Sequence, residues 1–164
     1  MLASLRRHPL IRQVLNLGLP AEDFALAGSA PLLAHGMRAE LGDVDVVARG
    51  RAWETAQTLG KTVRARSGGK VVRISGGRIE IFDNWFPPEL PVDALIRDAD
   101  VIDGIRFVSL RDTLLWKRYL NRDKDKEDIR LLEAYFRDRY ADTGTEMNTE
   151  MNPAPAVPSL GAKS

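Results

Sequence analysis

The run Asp43-Val44-Asp45-Val46-Val47-Ala48 places two carboxylates, one residue apart, inside an otherwise apolar segment. Valine-rich runs of this length read as buried strands, and strand interiors are depleted in aspartate. Side chains two apart in a strand share a face, so Asp43 and Asp45 point one way and Val44 and Val46 the other. Two neighbouring carboxylates repel and raise each other's pKa. An unpaired buried charge costs several kcal/mol. A divalent cation relieves both penalties, and Mg²⁺ favours one or two protein carboxylates completed by water and substrate phosphates. The other solution is a strand-edge pair that faces solvent or pairs with arginines.

The preceding segment fits the same chemistry. Asp23 to Gly28 is short and apolar and reads as a strand, and Ser29 to Gly36 reads as a short helix with Pro31 in its first turn. Glycine at a strand end permits close backbone approach. A helix start offers N–H groups to an anion, and the Ser29 hydroxyl adds a donor. Gly28-Ser29 is thus a candidate phosphate seat as well as an ordinary helix cap. A third acid would complete a two-ion site. Glu80 lies between Ile79 and Ile81 and is the favoured choice; Asp83, its rival, falls on the opposite face by alternation. Glu80 has an equally good partner in Arg73, across the Gly76-Gly77 turn. His35 suits the end of its helix better than a ligand role, and Arg38 suits either phosphate or an acid such as Glu40.

Further elements follow from pattern and punctuation. Helices are predicted from Pro9 to near Gly18, over Arg51–Leu59, over Pro91–Ala99, over Ser109–Leu120 with Ser109 as N-cap, and over Glu127–Tyr140. Thr62–Arg66 and Lys70–Asp83 read as strands, with Gly76-Gly77 as a two-residue hairpin turn. Val101–Val108 reads as a strand pair around Gly104. In Asn84–Pro91, Trp85 and Phe86 suit a substrate-side loop or a core plug. This order predicts an α+β domain over residues 1–141, a mixed β-sheet flanked by helices with further helices at the C-terminal end. Residues 142–164, rich in Pro, Thr, Asn and Ala, are expected to form a disordered tail.

Composition narrows the class. The 164 residues contain no cysteine, which excludes a disulfide framework and a cysteine zinc site and suits the cytoplasm. A net charge of +1 lacks the overall basic field of a dedicated nucleic-acid binder. No segment has the length of a membrane span, and the charged N-terminus does not suit a signal peptide.

Gly28-Ser29, thirteen further residues, Asp43-Val44-Asp45-Val46 and then Glu80 between apolar neighbours together resemble the nucleotidyltransferase (DNA polymerase beta-like) superfamily. The chain resembles in particular the small bacterial members related to minimal nucleotidyltransferases and AbiEii-type toxins. His35-Gly36-Met37-Arg38 is similar to a motif of the spacer. Lys117, Arg122, Lys124, Asp125 and Asp128 are similar to a second motif on the C-terminal helices. The resemblance implies a nucleotidyltransferase-like fold and transfer of a nucleoside monophosphate from a nucleoside triphosphate to an acceptor hydroxyl on a small molecule, a protein or RNA. It implies two Mg²⁺ ions held by Asp43, Asp45 and Glu80, and phosphates on Gly28, Ser29, Arg38, Lys117 and Lys124. It also implies a toxin–antitoxin or phage-defence setting with an antitoxin protein as partner. The alternative is an inactive module of the same fold that binds nucleotide, a partner protein, or RNA through Arg64, Arg66, Lys70 and Arg73.

Overall fold

The structure is a computed structural model that describes residues 4–143. Of the tail expected over 142–164, positions 142–143 belong instead to a helix and 144–164 lie outside the described residues. The chain divides into two compact units that part between Thr113 and Leu114.

The first unit is built on a seven-stranded mixed sheet. Its strands are β1 (Phe24–Ala27), β2 (Val44–Ala48), β3 (Thr62–Arg64), β4 (Lys70–Ile74), β5 (Ile79–Phe82), β6 (Asp100–Ile102) and β7 (Ile105–Phe107), in the spatial order β3-β4-β5-β2-β1-β7-β6. β1 and β2 are antiparallel, whereas β2–β5 and β1–β7 are parallel. The helices are α1 (Pro9–Leu15), α2 (Ala30–Ala34), α3 (Gly50–Gln57) and α4 (Val92–Arg97), followed by α5 (Leu110–Leu120), within which the unit boundary falls.

Alternation in the central strands decides which face is the main core. Leu26, Val44, Val46, Ile79 and Ile81 cluster with Leu10, Ile11 and Val14 of α1 and with Ala52 and Ala56 of α3. Each fully buried aliphatic side chain there contributes about 1.5–3 kcal/mol. The opposite face carries Ala25, Ala27, Asp45, Val47, Glu80 and Phe82. α4, packed on β1 and β2, covers part of this second face with Val92, Leu95 and Ile96. Trp85 is buried and meets Phe82 edge-on at 5.0 Å between centroids, the core-plug alternative of its loop.

Two strand expectations change in detail. The β4–β5 connection is a four-residue loop and not a two-residue turn, because Ile74 pairs with Ile79. Ser75, Gly76 and Gly77 all have positive φ, which spreads the reversal over the whole loop. The two-residue turn lies instead at Asp103-Gly104, φ 57° and 77°, between Ile102 and its partner Ile105; two positive φ values in succession make the turn that matches strand twist. β3 ends at Arg64, where the Ala65 N–H turns to bond the Gly69 carbonyl.

The second unit holds the rest of α5 and α6 (Lys126–Thr143). Asn121, at φ 46°, closes α5 by donating its N–H to the Lys117 carbonyl at 2.7 Å. A 3₁₀ turn over Asp123–Asp125 leads into α6, which extends three residues beyond the expected end at Tyr140.

Candidate functional site

The register of four adjacent strands assembles a row on the second face of the sheet. Ala27 of β1 pairs with Asp45 of β2, Asp45 with Glu80 of β5, and Glu80 with Arg73 of β4. Paired residues on neighbouring strands share a face about 5 Å apart. The row therefore runs from the end of β1 through two carboxylates to a guanidinium. Asp43 lies just before β2 and is exposed, and Asp45 is half-buried. Asp83 follows β5, and its carboxylate accepts the Lys70 N–H at 2.9 Å, closing the end of the β4–β5 ladder away from Asp45.

Gly28 follows directly on Ala27, at φ 65°. A Cβ at this position would lie 2.7 Å from Asp45 Oδ2 and 3.4 Å from both Asp45 Cβ and Cγ. Only glycine combines this left-handed backbone with so close an approach by the carboxylate. Ser29 turns the chain into α2, whose five residues make a short helix with a correspondingly small dipole. As a candidate phosphate seat, the Gly28-Ser29 turn therefore gains little from α2. Arg38 reaches back to it, its Nη1 donating to Ser29 Oγ at 3.5 Å, the long limit of a hydrogen bond. His35 forms the C-cap of α2, with Nε2 at 3.4 Å from Asp100 Oδ2.

Glu80 accepts from Arg73 Nε at 2.7 Å. Among the described residues, no three His, Asp or Glu side chains are drawn together into a metal cage. By donor chemistry, Asp43 and Asp45 would suit Mg²⁺, an ion that takes one or two carboxylates and completes its shell with water and phosphate oxygens. Arg73 engages Oε2 of Glu80 through the one Nε contact.

Lys117 and Lys124 belong to the second unit. Lys124 is exposed in the 3₁₀ turn. Lys117 is 3% exposed, and its Nζ lies 3.1 Å from Asp128 Oδ2 and 3.4 Å from Asp125 Oδ1. Arg122 completes the cluster by gripping both oxygens of Asp125, Nε to Oδ2 at 2.7 Å and Nη2 to Oδ1 at 2.9 Å. The ring of Trp116 lies 4.9 Å from Lys117 Nζ and 5.4 Å from Arg122 Cζ. Burial pushes the Asp125 carboxyl up, but the Arg122 hydrogen bond and the charges of Lys117 and Arg122 outweigh it and hold its pKa below the usual value. Where the sequence pattern suggested a phosphate contact, Lys117 is thus enclosed by two carboxylates. The signal was present: a lysine amid Leu114, Leu115 and Trp116, followed by two acids three residues apart at Asp125 and Asp128.

The mixed sheet and its flanking helices make an α+β fold. The chain is similar in fold to a crystal structure of a putative nucleotidyltransferase from Thermotoga maritima, with a TM-score of 0.52 and 17% identity over 77% of this chain and 96% of that one. No protein-family model and no curated protein matches the chain. Among the described residues, no helix is long and apolar enough to cross a membrane.

Proposed function

We propose that this protein transfers a nucleoside monophosphate from a nucleoside triphosphate to an acceptor hydroxyl, using the face of the sheet that carries Gly28, Asp45 and Glu80. The observation that carries this reading is the fit of the Asp45 carboxylate against Gly28, which brings an acid and a phosphate-compatible turn into contact. Asp43 and Asp45 would hold the Mg²⁺ of a Mg²⁺–triphosphate, an ion that supplies neutralisation of charge on the phosphates. The Gly28-Ser29 turn and Arg38 would orient the phosphates, so that the acceptor oxygen lies in line with the α-phosphorus. An acceptor O–P bond forms as the bond to pyrophosphate breaks. The acceptor's proton passes to a carboxylate of the row, and pyrophosphate leaves with the electron pair.

The experiment is calorimetry with ATP and GTP, with and without Mg²⁺, on the full chain and on Asp43→Asn with Asp45→Asn. Magnesium-dependent binding that disappears in the double variant supports the site. Binding that survives unchanged places the nucleotide elsewhere. A second reading, an inactive module of the same fold that binds nucleotide, draws on the Arg73–Glu80 pair, which engages the third acid. Binding without turnover would favour it. The likeness to AbiEii-type toxins extends the first reading to a protein or RNA acceptor and an antitoxin partner, tested by label transfer in lysate and by co-purification.

A further inference from the structure

Glu80 sits beside Asp45 in the row, in the position where a third metal-binding acid would be expected, yet it is joined to a cation. The pair uses Arg73 Nε alone, and neither terminal amino group of Arg73 bonds another protein group among the described residues. The Arg73 side chain is 55% exposed, and that of Glu80 28%. A half-exposed ion pair with a single contact adds little to stability. Strands also disfavour glutamate intrinsically. Stability is therefore a weak reason for this pair to stand in the middle of the sheet, on the same face as Asp45 and two strands away from it, about 10 Å across the backbone. A guanidinium held by one edge keeps its remaining N–H groups for a second anion, and its planar fork matches phosphate oxygens.

We propose that Arg73 binds the phosphate chain of the triphosphate and that Glu80 is its positioning residue; this rests on the nucleotidyl-transfer reading and deepens it. Glu80 fixes the side chain through Nε, so that its positive charge faces the phosphates held by the Gly28-Ser29 turn. There it adds a fixed donor to the charge that develops on the departing pyrophosphate. The role assigned to Glu80 thus changes from metal ligand to support for an arginine.

The test is calorimetric binding of ATP and of inorganic tripolyphosphate to the full chain and to Arg73→Gln, Arg73→Lys and Glu80→Gln, each over a Mg²⁺ titration. Loss of a charge-assisted contact predicts binding weakened about tenfold or more in Arg73→Gln, partly restored in Arg73→Lys, and weakened less in Glu80→Gln. The Mg²⁺ concentration at half-saturation stays constant in all three, a readout that distinguishes positioning from metal ligation. Undiminished binding by Arg73→Gln overturns the proposal. So does a raised Mg²⁺ requirement in Glu80→Gln, which would make Glu80 an ion ligand and Arg73 its counter-charge. Failure of the unaltered chain to bind either probe refutes the underlying nucleotidyl-transfer reading, an outcome separate from loss of the arginine effect alone.

Discussion

Replacing Gly28 by alanine tests the closest approach in the site, with Gly76→Ala as its control. Both glycines have nearly the same left-handed backbone, φ 65° and 68°. An L-residue there costs about 1–2 kcal/mol, so this part of the penalty cancels in the comparison. The surroundings differ. A Cβ on Gly76 meets nothing within 4 Å, whereas on Gly28 it comes to 2.7 Å from Asp45 Oδ2. Overpacking costs about 1–3 kcal/mol, and the low end applies here because a carboxylate can swing aside. Gly28→Ala should therefore lose about 1 kcal/mol more than Gly76→Ala in urea unfolding, at unchanged m-value. Displacement of Asp45 should also reduce affinity for Mg²⁺–ATP in Gly28→Ala while Gly76→Ala binds normally. Equal stability losses and equal affinities would refute the packing of Asp45 on Gly28.

Lys117→Met should destabilise the protein by about 3–5 kcal/mol, read from urea unfolding, because Asp125 and Asp128 lose the cation between them. Adding Asp125→Asn and Asp128→Asn should recover part of that loss by removing the stranded charges. Asp125 has a depressed folded pKa, so its contribution is full above the ordinary aspartate value near 3.8 and falls away as pH drops through the folded value. Asp125→Asn should flatten the acid limb that lies below about pH 4 in stability measurements. Asp83→Asn should leave Mg²⁺–ATP affinity unchanged and cost no more than about 1 kcal/mol, since its structural contact is one hydrogen bond to the Lys70 N–H.

Period-two alternation was enough to foresee that Val44 and Val46 share the face opposite Asp45, since side chains two apart in a strand point the same way. Ser109 was legible for a local reason: its hydroxyl accepts the Asp112 N–H at 3.1 Å, as an N-cap should. Strand order was not legible. Nothing local says that β2 pairs in parallel with β5 and so sets Glu80 beside Asp45, since that contact joins residues 35 positions apart in the chain. The β4–β5 turn was misjudged because Gly-Gly suits a tight turn, whereas Ser75 also takes a positive φ and lengthens the loop. Lys117 was harder still. Its charge pointed toward solvent or phosphate, and its burial depends on Asp125 and Asp128 arriving from beyond the next turn.

Nucleotidyl transfer itself is tested most directly by incubating the protein with Mg²⁺ and an α-labelled triphosphate, together with lysate protein and RNA, while following label on the acceptor and release of pyrophosphate. The account predicts equimolar label transfer and pyrophosphate from the unaltered chain, and neither from Asp43→Asn with Asp45→Asn. Transfer that continues undiminished in the double variant would contradict it.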